Sequence, residues 1–244
     1  MLTKLINSIM FQQKKSIASF LISSSIFSIL TVFSSSIYCQ QSYQSDLFHI
    51  ARVKYGGGGD WYSNTSSLPN LLRFISEQTG VVTAKEEDVV ELSSPRLFNY
   101  LYLYINGHGN IRFTERDVQQ LRRYLEAGGF LHADDNYGMD KSFRREMKRI
   151  LPESDFTEIP FNHPLYHSYY NFKSGPPKIH EHDSKPAQGL GLFLEGKLVV
   201  YYTYQSDLGD GWEDPDVHDD PPEKRLSALR MGTNIVIWRL KGGE

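Results

Sequence analysis

No other segment constrains the architecture as tightly as Phe98-Asn99-Tyr100-Leu101-Tyr102-Leu103-Tyr104-Ile105-Asn106-Gly107-His108-Gly109-Asn110. The run from Phe98 to Ile105 is nearly unbroken in its apolar and aromatic character, which suits a strand buried on both faces of a parallel sheet. It ends in a polar, glycine-flanked turn that carries His108 to the strand's carboxyl end. Thr114 then stands three residues before Asp117, a capping-box spacing, and Val118, Leu121 and Leu125 follow at helical intervals up to Gly128-Gly129. A second short strand, Phe130 to Ala133, runs into Asp134-Asp135-Asn136-Tyr137-Gly138. Asp140 is placed to cap a helix whose buried stripe is Phe143, Met147 and Ile150 or Leu151, with Pro152 closing it. Strand, helix, strand, helix with short connections predicts an α/β fold: a flavodoxin-like, doubly wound, mostly parallel sheet. In such sheets ligands sit beyond the carboxyl ends of the strands. Here those ends carry His108 and the pair Asp134, Asp135.

Towards the amino terminus, Phe48 to Tyr55 reads as the first strand. The glycines at 56 to 59 follow it, but their spacing is neither the dinucleotide pattern nor a P-loop, and no Lys-Ser/Thr pair follows. The loop therefore reads as a flexible rim presenting Trp61 and Tyr62. Pro69 suits the first turn of a helix carrying Leu68, Leu71, Leu72 and Ile75 and ended by Thr79-Gly80. Val81-Val82 and Val89 to Leu92 are short candidate strands. Towards the carboxyl terminus, Leu190 to Leu194 and Lys197 to Tyr204 flank Glu195-Gly196, a hairpin added to the sheet. Gln205 to Pro222 reads as a long acidic loop containing Trp212, mobile unless a cation or a partner orders it. The spacing from Leu226 to Leu240 predicts a terminal helix, although the β-branched run Ile235-Val236-Ile237 also permits a strand.

Residues 1–40 have the pattern of a secretory signal: Lys14 and Lys15 precede an uncharged run, Ser16 to Tyr38. The run is also long enough for a retained membrane anchor, though its nine serines make it only weakly hydrophobic. The expected organisation is thus a leader over 1–40 and one α/β domain over 41–244, exported to the periplasm or cell envelope. Cys39 is the only cysteine, so an internal disulfide is excluded and the domain must be stabilised by its core. The formal net charge is −3, and loss of the leader removes three lysines and no acid. An acidic domain without a basic run argues against nucleic acid as a partner.

Five of the eight histidines lie between residues 132 and 182. In His180-Glu181-His182-Asp183 alternate side chains on an extended segment point the same way, so His180 and His182 are candidate joint metal ligands. His163 and His167 are spaced for one helical face, although His163-Pro164 also starts a turn. Asp207-Leu208-Gly209-Asp210-Gly211 resembles a calcium loop without the full ligand pattern, so Asp207 and Asp210 join the metal candidates and a divalent cation is the one cofactor suggested. Asp134 and Asp135 are the more telling pair, because two carboxylates at the end of a buried strand are costly unless paired, hydrogen-bonded or bound to a cation.

Several of these segments together carry a resemblance. They are residues 104–113, Gly128-Gly129 through Gly138, Phe161-Asn162-His163-Pro164-Leu165-Tyr166-His167, Lys178 to Asp183, and Asp207 to Asp214. The chain resembles, over roughly Leu47 to Leu240, a bacterial envelope family catalogued as a domain of unknown function with a class I glutamine-amidotransferase-like fold. The resemblance implies the fold and no established activity. In true amidotransferases of that fold the corresponding strand leads to a sharp elbow bearing a nucleophilic cysteine. Here that position falls at or next to Asp135, and Cys39 in the leader cannot replace the nucleophile. Two functions follow as expectations. One is a non-catalytic module binding a small ligand or an envelope protein, through Asp134, Asn136, His180, His182, Asp183 and Trp212. The other is a hydrolase of a cell-envelope substrate, with or without a metal, with Asp135 and His108 as its catalytic pair. The membrane is a partner only if the leader is retained.

Overall fold

The computed structural model describes residues 47–243; the predicted leader, with Cys39, lies outside them. Seven strands form one sheet in the order β2-β1-β3-β4-β7-β6-β5. They are β1 (Ala51–Lys54), β2 (Asp88–Glu91), β3 (Tyr102–Ile105), β4 (Phe130–Asp134), β5 (Thr157–Glu158), β6 (Gln188–Leu194) and β7 (Lys197–Tyr204). The pairings from β2 through β1, β3 and β4 to β7 are all parallel, and β6 and β5 extend that edge by antiparallel pairing. This is the predicted flavodoxin-like sheet with its hairpin. The hairpin turns through Glu195 and Gly196, with φ of 49° and 79°, the left-handed pair that a two-residue turn requires.

The described residues form six helices: α1 (Ser67–Thr79), α2 (Glu115–Glu126), α3 (Asp140–Ile150), α4 (Leu208–Trp212), the exposed α5 (Pro215–His218) and α6 (Pro222–Leu240). One core packs α2 and α3 onto Leu103, Ile105, Leu131, Ala133 and Tyr202. The other packs α1, α4 and α6 onto Tyr102, Tyr104, Phe130 and Tyr201. The expected capping box is present at α2: Thr114 accepts from the Asp117 N–H while Asp117 accepts from the Thr114 N–H. Gly80 ends α1 at φ 76°.

Several expectations are corrected. Phe98 to Ile105 is not one strand: Pro95–Asn99 forms a 3-10 turn capped by the Ser94 side chain, and only the last four residues pair. Phe98 and Leu101 are consequently exposed. Val81-Val82 forms no strand, and Phe48 meets Thr83 in an isolated bridge. Asp140 is the first residue of α3 rather than its cap; its Oδ1 accepts from Arg144 Nε (2.6 Å) and from the Tyr202 hydroxyl (3.2 Å). Ile235-Val236-Ile237 is helical, because α6 is buried on nearly every side from Met231 to Trp238.

The largest correction concerns 205–222. The first half of this segment is not a solvated loop: Gln205, Ser206, Asp207, Leu208, Asp210, Trp212 and Glu213 are all buried, whereas 214–219 are exposed as expected. Leu208 and Trp212 stand four apart on one turn of helix and fill the core under α1 and α6, which fixes Asp210 between them at the sheet's carboxyl edge. Among the described residues, no helix is long and apolar enough to cross a membrane.

Candidate functional site

Alternation along β4 sends Phe130, His132 and Asp134 to the face of α1 and α6, and Leu131 and Ala133 to the face of α2 and α3. Asp134 is fully buried and lies opposite Thr203 of β7. Its Oδ1 accepts from the Thr203 hydroxyl and its Oδ2 from the Gly209 N–H at 2.7 Å. Burial still pushes its carboxyl up to about 7, against those two hydrogen bonds. Gly209 is required by space. A Cβ there would lie 2.7 Å from the Tyr104 hydroxyl, 3.0 Å from Asn64 Nδ2 and 3.2 Å from Asp134 Oδ2.

After β7 the chain reverses through two residues in the left-handed region, Gln205 at φ 61° and Asp207 at φ 56°. Asp207 is thereby turned inward and is fully buried. Burial first, then the charges of Asp134 and Asp210, push its carboxyl up to about 9. Its partner at 2.5 Å is His182 Nε2, whose imidazole is shifted down by burial and by the charge of His180. Both shifts disfavour the charged form of their own group, so neither favours a carboxylate–imidazolium ion pair here. The His182 ring is stacked on Tyr137, with centroids 4.5 Å apart.

Asp210 is the hub. Its Oδ1 accepts from Asn64 Nδ2 (2.5 Å) and Asn136 Nδ2 (3.1 Å), and its Oδ2 accepts from His180 Nδ1 (2.9 Å). Burial alone would raise its carboxyl; the His180 hydrogen bond and the charge of His218 outweigh it and hold the group low. His180 donates its other nitrogen to Asp220 at 3.0 Å, and His218 donates Nε2 to Glu213 at 3.0 Å. The hydrogen bond to Asp210 lifts the His180 imidazole to about 9, against burial. Asn64, at φ 57°, is aimed into the site by Arg52, which donates to the Asn64 and Ser63 carbonyls at 3.1 and 2.8 Å.

The cleft thus gathers Asp134, Asn136, His180, His182, Asp207 and Asp210 from the residues that the sequence singled out. It does not gather the others. His108 is half-exposed and bonded to Asp60, with Nδ1 to Oδ2 at 3.0 Å. It makes no hydrogen bond or ion pair with Asp135, so the catalytic pair expected of these two is not formed. Asp135 follows Ala133 by two and points to the α3 side; burial and the charge of Asp140 push its carboxyl up to about 6. Within its turn the left-handed residue is Tyr137, at φ 66°, so Asp135 does not occupy a strained elbow. Asp183 is exposed and paired with Lys185 at 2.8 Å. Trp212 is fully buried, donates to the Ala228 carbonyl and packs on Tyr104; it backs the cleft instead of lining it. His163 and His167 brace a 3-10 turn, His163 accepting from the Leu165 N–H and His167 bonding Asn171 and the Phe161 carbonyl. The calcium-loop likeness also fails, because Asp207 and Asp210 turn to different histidines.

Sequence reasoning missed Asn64, Tyr104, Thr203, Glu213, His218 and Asp220. The four-residue spacing of Leu208 and Trp212 marks a buried helical turn and so signals Glu213 beside it; nothing comparable signals His218 or Asp220, which lie beyond that turn.

Comparison with known proteins gives one family. The profile described as "Domain of unknown function (DUF4159)" matches residues 49–240. No protein of curated function matches the chain. The chain therefore belongs to the family defined by the DUF4159 domain of unknown function.

Proposed function

We propose that the chain is an exported ligand-binding module of the bacterial envelope, on an amidotransferase-like fold without that family's nucleophile, and that the cleft around Asp210 holds its ligand. One observation carries this reading. Tyr104 Oη, Asn136 Oδ1 and Asp207 Oδ1 are buried and have no hydrogen-bond partner among the described residues. All three lie at or just past the carboxyl ends of β3, β4 and β7. Buried polar atoms are nearly always satisfied, so a group of them at a sheet's ligand edge argues for a ligand that completes them. Acceptor oxygens dominate, which favours a cation or a ligand rich in amine or hydroxyl donors. The leader pattern supports export.

The test is thermal unfolding of the chelator-treated full chain with amino sugars, polyamines and polyols. A ligand at about 100 times its Kd stabilises by roughly 2.7 kcal/mol. Asn136→Leu should abolish that gain. No stabilisation by any compound class would count against the reading. For export, protein recovered from envelope fractions should begin near residue 40; an intact Met1 in cytoplasm would refute it.

A second reading, hydrolysis of an envelope substrate, rests on carboxyls whose protonation is driven apart in one cleft: Asp210 held low, Asp134 raised to about 7. That is the pattern of a base beside an acid. It requires that Asp134→Asn eliminate a measurable hydrolase activity while the fold is retained.

A further inference from the structure

We propose that His180, Asp210 and His218 form a binding site for a divalent transition metal of the zinc class at the rim of the cleft. This deepens the binding reading and rests on the cleft being a ligand site. One donor atom from each residue lies within 4.8 Å of the other two. Asp210 Oδ2 is 2.9 Å from His180 Nδ1 and 3.9 Å from His218 Nε2, so both imidazoles converge on the same oxygen. Two imidazoles and one carboxylate suit zinc and its neighbours better than calcium or magnesium, which take oxygen ligands. Three protein ligands leave a fourth position open. Glu213 Oε2, 3.0 Å from His218 Nε2, is a nearby further donor.

The supports around these three residues are those of a metal site. Ligating carboxylates are held by hydrogen bonds, and here Asp210 Oδ1 is occupied by two amides while Oδ2 faces the imidazoles. Ligating histidines give their far nitrogen to a carboxylate, and His180 Nε2 is on Asp220. Among the described residues, every ionic partner of Asp207, Asp210, Glu213 and Asp220 is a histidine, so neither lysine nor arginine neutralises the cluster. An independent sign comes from Asn136: it is buried, its Nδ2 is bonded to Asp210, and its Oδ1 has no partner among the described residues. His182, the partner that the His180-Glu181-His182 spacing suggested, is not in the set. Asp207 engages its Nε2, and its ring centroid lies 6.4 Å from that of His180.

The full chain, treated with chelator, is titrated with Zn2+ by calorimetry and with Co2+ by its visible absorption. The expected result is one metal per chain, with a Co2+ spectrum of nitrogen and oxygen ligands. His218→Ala should weaken binding by at least about 100-fold, and Asp220→Asn by about 10- to 100-fold. His167→Ala, a histidine outside the cleft, should change it by less than about 3-fold. His218 lies at the rim, and circular dichroism checks its variant; if that variant misfolds, His218→Gln and Asp220→Asn carry the test. Absence of stoichiometric binding, its survival in the His218 variant, or equal loss in His167→Ala overturns the assignment. An organic ligand that stabilises a chain unable to bind metal would overturn the metal site and leave the binding reading intact.

Discussion

Asp207→Asn should raise the melting temperature of the chelator-treated protein at pH 8 and leave it nearly unchanged at pH 4. Asp207 has no exposure, and its carboxyl is raised to about 9 by burial and by Asp134 and Asp210. The folded chain therefore holds a proton that the unfolded chain releases above about pH 4. A raised group stabilises fully below its unfolded value, and that contribution is lost as pH rises towards the folded value. The wild type should thus weaken steadily from pH 4 towards pH 9, and asparagine, which does not ionise, should not share in that loss. The backbone tolerates the change, because asparagine is among the residues most often found left-handed. Its amide can still donate to His182. Asp134, Asp135, Asp210, His180 and His182 titrate alongside it, which reduces the gain to on the order of 3 kcal/mol at pH 8, or roughly 6 to 12 °C for a domain of this size. Asp135→Asn should act in the same direction but less strongly, its own contribution levelling off above about pH 6. Thermal unfolding at both pH values decides it. A lower melting temperature for Asp207→Asn at pH 8, or an equal gain at both, would mean that the carboxylate is a charged structural support.

The sheet was legible because its signals are local. Thr114 and Asp117 bond each other across three residues, and Glu195-Gly196 sets its own turn, so no distant contact is needed to read either. The strand at Phe98 was overread because an apolar run does not say where pairing starts; Pro95 and the Ser94 cap decide that, and they favour a 3-10 turn. The site was half legible for a different reason. Asp134 and Asp135 could be placed at a strand end, but which of them enters the cleft depends on which face α1 and α6 cover. The elbow pattern pointed to Asp135, whereas the alternation of β4 delivers Asp134. The acidic segment misled because charge was weighed against solvent alone. Asp207, Asp210 and Glu213 are buried because Leu208 and Trp212 anchor the turn, and His180 and His182 then supply partners from outside the segment, which no spacing within it reveals.

Arg52→Met should be the most damaging single change near the cleft that touches none of the acids. Arg52 lies in β1 with 2 % exposure, and its guanidinium is spent entirely on fixing neighbours. Nε meets Glu87 at 3.0 Å, Nη1 donates to the Ser63 carbonyl and to Asn106 Oδ1 at 2.8 Å each, and Nη2 donates to the Asn64 carbonyl at 3.1 Å. The group also lies over the Tyr104 ring, 5.7 Å from its centroid. Methionine keeps much of the stem's volume but leaves two carbonyls, an amide oxygen and the mostly buried Glu87 carboxylate without their donor. Breaking a buried pair from one side costs about 3 to 5 kcal/mol. Arg52→Lys restores the charge and not the fork, so it should fall between the two. Denaturant unfolding should rank wild type, lysine and methionine in that order. The same series tests whether the cleft depends on this brace. Arg52 braces the left-handed backbone from which Asn64 reaches Asp210, so metal affinity should fall with stability across the series, even in molecules that remain folded. Methionine at 52 with wild-type stability would show that the loop carrying Asn64 is held by other contacts, chiefly Ser67 Oγ on the Asn64 carbonyl at 2.7 Å.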